Sequence, residues 1–576
     1  MSMPSSPPAD RLSLLDVAPL EETVSRFMNW VEPLLDSREY RATLTSAEAL
    51  KNPAGKVFTL HRDLRKELQE DPSLGKHRPF WEGWHLRHAT RLPIYTNPFY
   101  LFDRKAPSGA ALAAHFTVRA LDLHRQILHR TLPQDEIKGV PQCMEQYQTL
   151  FGCTRIPGVF EDHSFSAPES SHIVIFRRGR IYSLKVLNER GDIPSRGALE
   201  KVFRDLWSHA APLASSPGVF TAADRREWGA IREDLREFPH NRRNLEILEK
   251  ALFVLVLEDS PGETEKAFCE NLFGGLPDNR WYDKSLQLIV YPEGVGGWNY
   301  DHSRRDGGAM SRVAAFLCED APEGSPSDGL PGTPELLEFS LSPELEEKAR
   351  QIRQQNARLR RRVQLEVLRF PAFGALELKR RRYSPDAFVQ IVLLGVQHEL
   401  WGTLRNAFES VSLRHFRLGR TEGTRPLTPE GAACLRGYRE GARKESLAPL
   451  LRRAGRAHGE RIMLCRQGKG VDGNLGFLKN YALLRGFSPE EIPFFDSPGW
   501  KKHNQFWMST SATGGRGIRA AGYGPSLPEG FAVRYAKNPE ETELYVTSFE
   551  GDIQAFERAF LKVGNDYMEA LASPEE

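Results

Sequence analysis

Apolar residues recur at spacings of three and four from Leu20 through Val24, Phe27, Met28 and Val31 to Leu34, which predicts helix over 19–50. The same periodicity predicts helices at 108–131, 343–362, 386–409 and 554–572. Four short stretches gather β-branched and aromatic residues instead: HIVIFR (172–177), RIYSLKVL (180–187), SLQLIVY (285–291) and ELYVTSF (543–549). These predict strands. The stretch DAPEGSPSDGLPGTP (320–334) is rich in Gly, Pro and Ser and predicts an exposed loop or hinge. No segment repeats at a fixed period. Long helices interleaved with scattered strands indicate an α/β or α+β chain.

At 576 residues the chain is too long for one core, so two domains of roughly 200–300 residues are expected. The formal net charge is +2, which gives no reason to expect nucleic acid or an anionic membrane as the main partner. Basic residues cluster at 358–362 and 379–382, and the first cluster reads as a solvated helix face. The six cysteines (Cys143, Cys153, Cys269, Cys318, Cys434 and Cys465) are widely spaced and form no CxxC pair. That predicts no metal site and no disulfide framework, and it suits a reducing compartment. The N-terminus MSMPSSPPAD lacks an apolar core segment, and no uninterrupted apolar run reaches the ~18–20 residues that a membrane span needs. A cytoplasmic location follows as an expectation.

One segment carries chemistry. GVGGWNYDH (294–302) follows a predicted strand and reads as a glycine-rich turn with close backbone approach. His302 ends it and opens an HxxxDG pattern with Asp306 and Gly307. A histidine held at a strand end can take a proton from an alcohol or thiol near neutral pH, because its unperturbed pKa lies there. Asp306 would orient the ring or hold a nearby arginine. No GxSxG elbow, Walker loop or metal-ligand cluster competes with this histidine.

The stretch NRWYDKSLQLIV (279–290), running on to DHSRRDG, resembles the signature of the choline/carnitine O-acyltransferase family. Further blocks follow in the family's order: RLPIYTNPFY (91–100), PQCMEQYQTLFGCTRIPG (141–158), SSHIVIFRRGRIYSLKV (170–186), YSPDAFVQ (383–390) and SVSLRHFRLGRTEGTR (410–425). GKGVDGNLGFLK (468–479), STS (509–511), GYGPSLPEGFAVRY (522–535) and SFEGD (548–552) complete the set, so the resemblance covers about 15–570. It implies two similarly folded α/β domains of the chloramphenicol-acetyltransferase-like type, with an active-site tunnel at their interface. Residues 1–90 would form a helical segment packing with the C-terminal domain. Residues 91–345 would form the catalytic domain and 346–576 the domain carrying the coenzyme A and acceptor positions.

The resemblance also implies the reaction, a direct acyl transfer between coenzyme A and a small alcohol such as carnitine. His302 would be the general base and Ser511 the oxyanion donor, with Asp306 in the catalytic set. Lys379, Arg380, Arg381, Arg382, Asp386 and Ser412 would bind CoA; one of the family's paired lysines falls on Ala375. Tyr95, Phe408, Ser410, Thr421, Gly473, Ser509 and Tyr523 would line the acceptor site. The carnitine-binding arginine and tyrosine of relatives fall on Gly473 and Phe408, which leaves open an acceptor such as choline or another alcohol, with an acyl carrier protein as a possible donor. Ala521 and Gly522 would line the acyl pocket, and their small size predicts acyl groups longer than acetyl, of medium or long chain. CoA and acyl-CoA enter as co-substrates, with no permanently bound cofactor, no metal, and a monomeric protein.

Overall fold

The computed structural model describes residues 12–71, 78–87, 89–209, 211–213, 215–320 and 331–572. The predicted loop at 320–334 falls largely outside the described residues. Two large sheets organise the chain, one built mainly from its first half and the other from its second. The first has eight strands in the order Glu335–Leu336, Arg180–Lys185, His172–Arg177, Val254–Leu257, Gln287–Val290, Gly296–Asn299, Phe99–Phe102 and Ile518–Gly522. The second has six, in the order Gln364–Phe370, Thr542–Ser548, Phe531–Lys537, Met508–Ser511, Ala407–Ser412 and Thr421–Thr424. Both have the same core plan: a central strand paired in parallel on both sides, Val254–Leu257 in one and Met508–Ser511 in the other, with antiparallel strands outside. The fold is therefore α/β with two sheet-containing halves.

The last strand of the first sheet comes from the second half of the chain. Met508–Ser511 lies in the second sheet, Ile518–Gly522 crosses to pair with Phe99–Phe102, and Phe531–Lys537 returns. The two halves are thus joined by backbone ladder as well as by side chains. The helix pattern at 19–50 resolves into helices Leu20–Val31 and Ser37–Leu50 around Pro33, the second opened by Asp36 in a capping box with Glu39. Their apolar faces bury Phe27, Trp30 and Val31 against Val471, Leu475, Phe494 and Trp500, far along the chain.

Two predicted elements need correction. The helix expected over 386–409 ends at Trp401, where Gly402 takes a left-handed conformation (φ 65°) and the chain turns into strand Ala407–Ser412. The glycine-rich segment at 294–302 is only partly a turn. Gly294 supplies the positive φ, whereas Gly296 and Gly297 continue as a central strand between Gln287–Val290 and Phe99–Phe102. All six cysteines are free and five are buried. No helix among the described residues is long and apolar enough to cross a membrane.

Gly297 shows why that strand is glycine-rich. A Cβ there would lie 2.1 Å from the Tyr100 carbonyl oxygen and 2.8 Å from Leu272. Gly297→Ala should therefore destabilise the protein by about 1–3 kcal/mol through overpacking. A thermal melt of the variant checks this, and an unshifted midpoint would contradict it.

Candidate active site

His302 follows strand Gly296–Asn299 and precedes helix Gly307–Cys318. The short loop between them is wrapped around Asp301. Its carboxylate accepts hydrogen bonds from Ser303 Oγ (2.5 Å) and Arg305 Nη2 (2.7 Å), and Arg305 Nε donates to the Asp301 carbonyl at 3.1 Å. Arg155 approaches the same carboxylate at 3.6 Å. This knot turns the Arg305 carbonyl back onto the imidazole, where it lies 2.5 Å from His302 Nδ1. A carbonyl can only accept, so Nδ1 carries the proton and Nε2 keeps its lone pair. Burial lowers the His302 pKa, helped by Arg420 and opposed by Asp306 and the Arg305 carbonyl. The ring therefore rests neutral and able to accept a proton at Nε2.

Asp306 does not orient the ring; it holds an arginine. Arg420 Nε and Nη2 donate to its two carboxylate oxygens at 2.7 and 2.9 Å, and Gln146 Nε2 donates at 3.0 Å. Arg420 Nη1 also donates to the Ser303 carbonyl at 3.0 Å. The guanidinium holds the Asp306 carboxyl well below the usual carboxylate range despite its burial. Arg420 lies just before strand Thr421–Thr424 of the second sheet, so this pair ties the histidine loop to the other half.

The inner face of the second sheet follows from strand alternation and register. Phe408 pairs with Ser509, Ser509 with Ala532, Ser511 with Arg534 and Arg534 with Tyr545, so these side chains share one face. Ser410 and Ser412 continue that face and are exposed. The alternate residues Met508, Val533 and Val546 turn away into the core under helix Pro385–Trp401. The candidate face meets the histidine half at the start of helix Gly307–Cys318. A Cβ at Gly307 would lie 2.5 Å from Thr513 Oγ1, and one at Gly308 would lie 3.9 Å from Ser412 Oγ. Ser511 Oγ accepts the Thr513 amide at 3.2 Å and lies 2.8 Å from Thr513 Oγ1.

The other candidate positions fall into three groups. Lys379 and Arg380 are exposed at the end of helix Ala375–Arg380, and Arg382 is exposed just beyond it. Arg381 folds back onto Glu377 (2.8 Å) and the Met568 carbonyl (2.7 Å). Asp386, in the first turn of helix Pro385–Trp401, is held by Lys537 and by the Tyr535 hydroxyl at 3.0 Å. Its carboxylate, Glu409 and His458 bring potential ligand atoms within 4.8 Å of one another, the one such group among the described residues. Lys537 already places a cation there.

Around Gly473 the structure supplies an arginine. Arg425 lies over the rings of Phe506 (4.5 Å) and Phe408 (5.5 Å), but it is fully buried and engaged. It donates to Asp472 Oδ1 (3.0 Å) and to the His503 carbonyl (3.1 Å). The Gly473 amide donates to Glu422 at 2.8 Å, and Thr421 is half-buried. Tyr523 donates to the Ser509 carbonyl at 2.9 Å, and Ala521 pairs with Tyr100 across the first sheet. Gly522 packs against Phe99, where a Cβ would lie 2.7 Å from the ring. Tyr95 stands apart as the third: its ring lies tilted against that of Phe549 at 5.4 Å, and it lines a cavity of about 400 Å³ with Arg91, Arg358 and Arg362.

Four residues of this region were not singled out from the sequence. Arg420 sat inside a quoted block, one position before Thr421. Arg534 is a charge at an inward-facing strand position among apolar residues, which the period-two pattern of FAVRY makes visible. Gln146 lies within another quoted block. His85, buried with its ring 5.3 Å from that of His302, had no motif to reveal it.

A family model described as choline/carnitine O-acyltransferase matches residues 15–562. Carnitine O-palmitoyltransferase 2, mitochondrial, of Rattus norvegicus is 25% identical, over 98% of this chain and 92% of its own length. Carnitine O-acetyltransferase of Columba livia is 26% identical over 94% of this chain and 89% of its own. Choline O-acetyltransferase of Sus scrofa is 27% identical over 97% and 92%. Among solved structures, trichothecene 15-O-acetyltransferase from Fusarium sporotrichioides aligns over 86% of this chain and 94% of its own at 11% identity, with a TM-score of 0.36.

Removing the Asp306 charge leaves a buried guanidinium uncompensated, so Asp306→Asn should cost about 3–5 kcal/mol at neutral pH. Because the folded carboxyl titrates below its unfolded value, its stabilisation is complete above about pH 4 and is lost as pH falls toward the folded pKa. The gap between wild type and variant in urea midpoint should therefore be full at pH 7 and shrink in acid. A gap independent of pH would contradict the pairing.

Proposed function

Since the chain belongs to the choline/carnitine O-acyltransferase family, we propose that it transfers an acyl group longer than acetyl between coenzyme A and the hydroxyl of a small alcohol, with His302 as general base. The observation that carries this reading is the His302 imidazole, fixed by the Arg305 carbonyl as the Nδ1–H tautomer at the junction of the two halves. His302 Nε2 takes the proton of the acceptor hydroxyl. The freed oxygen attacks the thioester carbonyl, forming the new C–O bond and moving the carbonyl electron pair onto oxygen. Collapse of that oxyanion breaks the C–S bond, and the departing thiolate takes the proton back from His302. The same groups serve the reverse direction.

Ser511 is suited to meet the oxyanion. With the Thr513 amide donating to its oxygen and Thr513 Oγ1 as the donor of the 2.8 Å contact between the two hydroxyls, its own proton can turn to the oxyanion. The exposed charges of Lys379, Arg380 and Arg382 suit the phosphates of free CoA, which favours CoA over a carrier-bound donor. For the acceptor, the state of Arg425 favours an alcohol without a carboxylate, choline-like rather than carnitine-like. The guanidinium near Gly473 is buried and neutralised by Asp472, so a carboxylate placed there would lose its hydration without gaining a cation.

Three outcomes follow. His302→Ala should lower CoA release by about 10²–10⁴-fold, the range of a lost general base. Ser511→Ala should cost about 10²–10³-fold in kcat with KM little changed. In the wild type, the acidic limb of kcat/KM should lie below pH 6.5, because the base loses its proton-accepting form only at a pH below the ordinary imidazole value. Thiol release from an acyl-CoA, followed across pH with a panel of alcohols, measures all three. Unchanged turnover in His302→Ala would sink the proposal.

A further inference from the structure

A guanidinium sits on the inner face of the second sheet without an ion pair among the described residues. Arg534 is the strand partner of Ser511, and only 3% of it is exposed. Its Nε donates to the Thr513 carbonyl at 2.7 Å, and the group lies 5.0 Å from the centre of the Tyr545 ring. Nη1 is buried and finds no hydrogen-bond partner among the described residues. Nη2 lies 2.6 Å from where a Cβ at Gly514 would stand, so the loop beyond Ser511 is shaped around this side chain. The nearby acid Glu543 is taken by Arg369 and Arg519, both at 3.1 Å. Burial lowers the Arg534 pKa, opposed only in part by Tyr545, Tyr100 and the more distant Glu543.

The opposite wall is polar as well. Tyr100, the strand partner of Ala521, brings its hydroxyl to 3.4 Å from that of Tyr300, two residues before His302. Both rings are buried. The field of Arg534 reaches Tyr100, where it opposes the upward shift that burial gives the phenol. A buried cation with an unfilled donor thus lies beside Ser511, and its field reaches the phenol of Tyr100, the strand partner of Ala521. An alkyl chain running there would leave the guanidinium and its Nη1 donor unsatisfied, whereas a carboxylate would supply the missing charge and acceptor at once.

We infer that the acyl group this protein transfers ends in a carboxylate, as in the monothioester of a short dicarboxylic acid, and that Arg534 Nη1 binds that carboxylate. The inference rests on the acyltransferase reading above and names the donor for the same site. It keeps an acyl group longer than acetyl beside the small Ala521, and it replaces the medium- or long-chain expectation with a short chain that ends in charge.

The test compares succinyl-CoA with butyryl-CoA, which differ by a terminal carboxylate in place of a methyl, on the full-length protein with one accepted alcohol. The wild type should favour succinyl-CoA in kcat/KM by at least about 100-fold. Arg534→Met should collapse that ratio. A wild type that prefers butyryl-CoA overturns the inference, and this ratio decides even if the variant does not fold. An Arg534→Met protein that loses activity on both thioesters equally, with the ratio intact, also overturns it. In that case the guanidinium serves the reaction centre or the fold. Butyryl-CoA turnover that depends on His302 would still uphold the acyltransferase reading. A wild type that releases CoA from neither thioester, nor from acetyl- or octanoyl-CoA, removes that reading and the inference with it.

Discussion

The bidentate pair between Asp306 and Arg420 is the constraint on which the site depends. It joins the loop after His302 to the second sheet at a point sheltered from water, and Gln146 completes the carboxylate's coordination. A buried ion pair of this kind is weak evidence for stability in itself, because desolvation offsets much of the attraction. Its value here is geometric. With Asp306 occupied, the imidazole is not drawn toward a carboxylate and instead receives its orientation from the Arg305 carbonyl. The negative charge close by still moderates the cost of forming an imidazolium, while Arg420 works in the opposite direction. The histidine is thus poised between the two charges of the pair.

Strand alternation does the rest of the positioning. In the second sheet one set of residues (Met508, Val533, Val546) packs under the helices, and the next set (Ser509, Ser511, Arg534, Tyr545) faces the other half. A one-residue slip would exchange the two sets. Parallel pairing of Met508–Ser511 on both sides, and the crossing of Ile518–Gly522 into the first sheet, oppose such a slip. Thr513 lies on that crossing segment and packs at Gly307, so the covalent chain itself sets the serine strand against the histidine helix.

Local signals in the sequence carried the helices well wherever one face was apolar, as in Pro343–Arg362 and Ile553–Leu571. They failed where one residue overrides a continuing pattern: Gly402 ends a helix whose apolar spacing runs on into a strand, and Asp36 restarts one that Pro33 had interrupted. Strand Val254–Leu257 leaves no such signal, since a short apolar run buried on both faces looks the same in a helix or a sheet. Ordered blocks of similarity single out His302, Ser511 and the basic segment near Lys379 as candidates. Arg420, Gln146 and His85 act through partners more than a hundred residues away, and spacing along the chain holds no trace of such pairs. The engagement of Arg425 with Asp472 was likewise invisible, although it bears directly on which alcohol fits.

The central claim is that His302 rests as a neutral imidazole protonated at Nδ1, with Nε2 free to receive the acceptor's proton. Nitrogen-15 NMR of the histidine-labelled protein at neutral pH, with the signal assigned by its loss in His302→Gln, reads this directly. The account predicts one protonated-type resonance for Nδ1 and one lone-pair-type resonance for Nε2, persisting to a pH below 6.5. An imidazolium pattern at pH 7, or the proton on Nε2, would contradict it.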